Sequence, residues 1–217
     1  DEVLVADVFT LVTDLSDLQA GDEIILVGTT QSVHYGATNE LTAAKVSNFI
    51  GVEQVAIEDS TVTLDEWSDV AIMTVGTSDE EWTFMNKNGL LLGCSAIRKP
   101  NWGSDSNTWS ISIRNDNATI TNANTNFNCR LLLNYNNGQP RFSTYGSSTN
   151  LSSSIVLPQI YARHKATPTP TDWEVIQQGE SDSPIPPFTK FLQNGRLLIR
   201  TPNGIFSVDG RLEQHRQ

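Results

Sequence analysis

The residues best suited to chemistry lie together in the loop Asn101-Trp102-Gly103-Ser104-Asp105-Ser106-Asn107. Trp102 stands between Pro100 and Gly103, where strand alternation has stopped. A flat indole exposed there and bordered by Asn and Asp is how a sugar ring is held. Ligand contacts are therefore expected from Trp102, Asn101 and Asp105, with Tyr145 as a second aromatic contributor. The competing structural reading folds Trp102 back as a lid on the end of a barrel. Asn101, Asp105 and Asn107 also alternate oxygen donors in a way that suits Ca²⁺, but the loop lacks the terminal bidentate acid of an EF-hand, and no metal is expected.

Catalytic equipment is sparse. His34, His164 and His215 lie in three separate regions, with no HExxH spacing and no close carboxylate–His–Ser order, and His34 reads as a loop histidine. Neither GxxxxGK[ST] nor GxGxxG occurs, which removes the usual phosphate cradles and the cofactors they bind. Glycoside hydrolysis would need two carboxylates facing each other at about 5–10 Å. Glu58, Asp59, Asp65, Glu66 and Asp69 fall at predicted turns and read as a solvated acidic face. No catalytic residue and no cofactor is expected. Cys94 and Cys129 are the only cysteines, without CxxC spacing. Both fall on predicted strands, so either a disulfide or two buried free thiols fits.

The net charge of −11 is unevenly placed: residues 1–90 carry 17 acids against two bases, and residues 91–217 carry eight against twelve. A chain this acidic is repelled by phosphate backbones and anionic lipid, so nucleic acid and membrane surfaces are poor partners. No apolar run approaches the roughly 18 residues of a membrane span. The first residues show no signal-peptide pattern, which suits either a cytosolic chain or a mature one.

The elements that must position the loop are β-strands. Glu23–Gly28 is a short apolar run bounded by Asp22 and Gly28, after a helical turn that Thr13, Asp14 or Ser16 can cap and Gly21 can end. Residues 31–39 read as polar and turn-rich. Val52–Ile57, Ser60–Leu64 and Val70–Val75 alternate or are β-branched. From Glu81 to Arg163 the strands come in pairs. Trp82–Met85 and Leu90–Gly93 flank Asn88-Gly89, a type I′ hairpin signal; Trp109–Ile113 turns through Asn115–Asn117 into Ala118–Ile120; Arg130–Asn134 meets Asn137-Gly138 and returns through Arg141–Tyr145. Trp82 and Trp109 recur in register and read as core pillars. The class is all-β: an antiparallel barrel or sandwich, with a β-trefoil as the alternative although three clean repeats are missing. Three units are expected: a main domain over 1–163, a Pro/Ser/Thr-rich linker over 164–187 with a short edge strand at Trp173–Ile176, and a small β-meander over 188–217 turning at three Asx-Gly pairs.

The segments LLGCSAIRKPNWGSDSNTWSISIRNDNATITN, RLLLNYNNGQPRFSTY and IVLPQIY, with the opening FTLVTDLSDLQAGDEIILVG, resemble a β-rich module of secreted and surface proteins of Bacteroidetes, sometimes appended to extracellular nucleases or other hydrolases. The likeness covers about residues 8–163. It implies a secreted or outer-surface location and no active site, and a Trp at the place of Trp102 belongs to the module generally, which favours the lid. KFLQNGRLLIRTPNGIFSVDGRLEQ resembles the C-terminal tails linked to type IX secretion, departing at Thr201-Pro202, where such tails carry a charge. The function expected is a non-catalytic binding module, carbohydrate being the candidate ligand; the alternative is a structural or adhesive accessory domain, and a glycoside hydrolase comes third.

Overall fold

The alternating runs become strands wherever one face can be buried. A computed structural model of the chain describes residues 7–104, 106–135 and 138–164, and the strands 189–193, 196–201, 204–207 and 212–214. Two units are separable, Asp1–Thr167 and Pro168–Gln217. In the first, nine strands close an antiparallel barrel in the order β2 (Glu23–Thr30), β3 (Val33–Ala43), β4 (Asn48–Val55), β13 (Arg141–Gly146), β12 (Cys129–Asn134), β11 (Asn117–Asn122), β10 (Trp109–Arg114), β7 (Glu81–Met85) and β6 (Met73–Ser78). Closure falls on β2, whose first residues pair with β6 and whose last pair with β3. Its other edge carries β15 (Gln159–Arg163), then β1 (Asp7–Leu11) and β5 (Thr61–Leu64). β8 (Leu92–Cys94) and β9 (Pro100–Trp102) form a separate ribbon, and β14 (Ile155–Val156) pairs with β12.

The barrel interior is apolar. Ile24, Leu26, Ile50, Met73, Phe84, Trp109, Ile120, Leu133 and Phe142 are essentially fully buried in one cluster. Trp109 donates from Nε1 to Leu92 O at 2.8 Å, satisfying the polar end of a buried indole. It stands opposite Trp82 in the strand register, and Trp82 packs half-buried on the same core. A second cluster of Phe9, Ile25, Val27, Val62 and Tyr161 lies between β2 and the added strands.

Several local expectations change. Residues 31–39 are largely strand: β3 starts at Val33, with Tyr35 and Ala37 in the core. The expected helix is a single 3₁₀ turn at Leu15–Asp17, with the Asp14 carboxylate accepting from Ser16 N at 2.8 Å. Gly21 does take a left-handed φ of 98°. The Asn88-Gly89 hairpin does not form as expected. Gly89 has φ 75° while Asn88 keeps a negative φ, and Asn86 Oδ1 accepts from both Asn88 N and Leu90 N. β8 then pairs with β9, leaving one bridge, Met85↔Leu91, to the preceding strand.

In the second unit β16 (Thr189–Gln193), β17 (Arg196–Thr201), β18 (Gly204–Ser207) and β19 (Leu212–Gln214) pair consecutively as an antiparallel meander. Of the linker read over 164–187, residues 165–187, with the edge strand read at Trp173–Ile176, lie outside the described residues.

Candidate functional site

On β13, Phe142 points into the barrel, so Arg141, Ser143 and Tyr145 point to its outer face by the two-residue period. Asn134 joins them, because it is paired with Arg141 while its neighbour Leu133 is paired with Phe142. Phe49 joins from β4 by the same alternation, next to the core residue Ile50. β4 and β13 share only the partner pair Phe142↔Ile50. Beyond it the strands part, and the loop between β8 and β9 fills the gap.

Arg98 is the residue that enters. Its N–H donates to Thr144 O of β13 at 2.6 Å, and its carbonyl accepts from Asn48 N of β4 at 2.7 Å. The turn is closed by Ser95 N to Lys99 O and Lys99 N to Ala96 O, both 3.0 Å, and the Thr144 hydroxyl donates to Ala96 O at 3.2 Å. Meeting both strands requires φ 60° at Arg98, a left-handed conformation that costs a non-glycine residue.

Between these elements is a cleft of about 190 Å³, lined by Ser47, Asn48 and Phe49 from β4 and its approach, Asn134 from β12, Arg141, Ser143 and Tyr145 from β13, and Arg98 from the loop. Its floor is wired: Asn134 Nδ2 donates to Tyr145 Oη at 2.7 Å, and Ser143 Oγ to Asn48 O at 2.8 Å. The guanidinium of Arg141 lies over the Phe49 ring at 5.0 Å, and that of Arg98 over the Tyr145 ring at 5.9 Å. Lys99 stands beside them with Nζ donating to Ala44 O and Asn48 Oδ1. Among the described residues no carboxylate lines the cleft.

Of the residues expected from sequence, Tyr145 is in the cleft; Trp102 and Asn101 are not among its lining. Trp102 sits on β9 opposite Leu92, half-buried, and packs against the barrel core with Nε1 buried and unpartnered. This is the lid arrangement rather than an exposed platform. Asn101 pairs with Gly93 on the same ribbon, and Asp105 lies outside the described residues. Asn107 uses its amide on Ser104 O at 2.8 Å. Among the described residues no three His, Cys, Asp or Glu side chains converge. His34 bonds Thr29 and His164 bonds Asp22, each through Nδ1 at 2.9 Å and away from the cleft lining. Glu58, Asp59, Asp65, Glu66 and Asp69 are exposed. Cys94 and Cys129 are free, buried thiols with sulfurs 3.3 Å apart. That contact and burial push the Cys94 thiol well above the ordinary range.

Arg98 and Arg141 were not singled out by sequence reasoning, which weighed aromatic and acidic residues. A signal existed: no Asp or Glu occurs between Asp116 and Asp172, so Arg141 comes from a long stretch without acids to pair it. Fold and site together define an all-β barrel protein with a small polar and aromatic cleft on its outer face. The chain matches no family model, no curated protein and no solved structure.

Proposed function

We propose that this chain is a non-catalytic binding module for carbohydrate, secreted or displayed on a bacterial cell surface, with the cleft around Tyr145 as its site. The observation that carries the reading is the lining. Half-buried Phe49 and buried Tyr145, each with an arginine guanidinium over its ring, stand beside amide and hydroxyl groups of Asn48, Asn134 and Ser143, and no described carboxylate lines the cleft to serve as acid or base. A small cleft in which a few polar groups converge beside aromatic side chains is the usual composition of a small-ligand site, and sugar hydroxyls suit those polar groups. The location rests on the sequence motifs of the main domain and of the tail.

The test is an array of neutral and acidic oligosaccharides probed with the whole chain and with Phe49→Ala. Binding that disappears in the variant, with an unchanged far-ultraviolet spectrum, supports the reading. Silence across the array overturns it and favours the structural or adhesive alternative.

A further inference from the structure

Resting on that reading, we propose that the cleft selects an acidic saccharide, one whose unit carries a carboxylate or sulfate oxyanion, through Arg98 and Arg141.

The chain supplies its own reference for a structural arginine. Arg163 lies over the Phe9 ring at 4.9 Å and also holds two carboxylates, donating from Nε to Glu23 at 2.7 Å and pairing with Asp7 through NH1. Arg141 has the same stacked posture, 5.0 Å over Phe49, yet no carboxylate partner among the described residues. Arg98 repeats the pattern over Tyr145. Stacking occupies the face of a guanidinium and leaves its edge of N–H donors, the fork that matches an oxyanion bidentately. At Arg163 acids fill that edge, and at Arg130 the Thr149 carbonyl accepts from it at 2.7 Å. At the cleft the edge is left for something else.

Two further observations agree. Arg98 and Arg141 line one cleft whose described lining holds no carboxylate, so an oxyanion there meets two cationic side chains. Arg98 is also fixed at the cleft by its backbone, its N–H donating to Thr144 O at 2.6 Å and its carbonyl accepting from Asn48 N at 2.7 Å. Size limits the ligand: about 190 Å³ is below the range of drug-sized sites, which suits one charged sugar unit or chain end.

The experiment is calorimetric titration of the whole chain with matched trisaccharides of several linkages, neutral, uronate-bearing and sulfated, and with sodium sulfate. An acidic member should bind about tenfold or more tighter than its neutral match, weaken with added salt, and lose about tenfold in Arg141→Gln and in Arg98→Gly, with Arg141→Lys in between. Unchanged thermal midpoints show that the variants fold. Whether the uronate or the sulfated member wins identifies the oxyanion, and either supports the proposal. Neutral and acidic members binding equally, with Arg141→Gln indifferent, overturns the selection for charge and leaves the carbohydrate reading standing. No saccharide binding overturns both. Sodium sulfate binding as tightly as any saccharide overturns the proposal in favour of a bare anion site.

Discussion

The strain at Arg98 gives a stability prediction that does not depend on any ligand. Its backbone bridges β13 and β4 through N–H and C=O, which every residue except proline keeps, so substitution alters only the side chain and the cost of φ 60°. A non-glycine residue pays about 1–2 kcal/mol in the left-handed region. Arg98→Gly removes that cost, but it loosens the unfolded chain by about 0.4–1 kcal/mol. It also gives up the ring contact with Tyr145, which at 5.9 Å is near the limit of such contacts and is given the low value of about 0.5 kcal/mol. The net lies within about 1 kcal/mol of the wild type. Arg98→Ala loses the ring contact and keeps the strain, so it should be destabilised by about 0.5 kcal/mol. The glycine variant should therefore be the more stable of the two by about 0–1.6 kcal/mol, about 0.8 at the middle of both ranges, or a few degrees in Tm for a domain of this size. Thermal and urea unfolding of the three proteins side by side measure this. Arg98→Ala more stable than Arg98→Gly would refute the reasoning, because it would mean that the left-handed backbone carries no penalty here.

Other consequences follow from the barrel. A methyl added at Gly28 would meet Leu133 Cδ2 at 2.6 Å and Leu133 Cβ at 2.7 Å inside a closed core, so Gly28→Ala should cost about 1–3 kcal/mol by overpacking; an unmoved urea midpoint would show that the core yields. Burial, and secondarily Asp116, raise the Tyr161 phenol above its usual value near 10. A folded-state pKa above the unfolded one contributes stability below the unfolded value that is lost as pH rises through the folded value, so the protein weakens above about pH 10 and Tyr161→Phe makes that decline shallower. An alkaline unfolding profile identical in the two proteins would contradict this. Cys94 and Cys129, both 0% exposed, should resist iodoacetamide at mildly alkaline pH in the folded protein and react in urea; mass spectrometry reads the adducts, and native labelling of either thiol speaks against the burial.

The class of fold was legible because period-2 alternation and β-branched runs carry it, and Trp109–Ile113 with Ala118–Ile120 landed in register as β10 and β11. Turn chemistry was less legible. Two-residue turns with positive φ at both central residues close hairpins at Gln31-Ser32, Asp59-Ser60, Asp79-Glu80 and Asn115-Asp116, and none contains glycine. Strand pairing on either side supplies the energy to hold non-glycine residues there, so the composition signal for such a turn is absent at Gln31-Ser32, which is why β3 read as loop. The one Asn-Gly pair fully described, Asn88-Gly89, lies instead in a longer turn closed by Asn86 N to Leu90 O and Gly89 N to Asn86 O, both 2.9 Å, and by the Asn86 side chain. Of the expected contacts, Tyr145 lines the cleft, whereas Trp102 packs on the core; local alternation cannot show that a neighbouring ribbon turns a loop side chain back onto it.

The cleft itself is a product of strand divergence, and this explains why its arginines are hidden in the sequence. β4 and β13 need a third partner past Phe142↔Ile50, or their N–H and C=O groups would be left unpaired. The loop from Ser95 to Lys99 provides it with one residue, whose backbone faces both strands. Any residue that accepts the φ would serve that backbone role, and glycine would serve it at least cost. An arginine there is thus not explained by the fold. Its ring contact with Tyr145, near the limit of range, offsets only part of the strain, the rest being carried by the backbone bonds to β13 and β4, and its side chain lines the cleft. The same reasoning separates Arg141 from Arg163: both stack on a phenylalanine, but only Arg163 has acids that account for its charge.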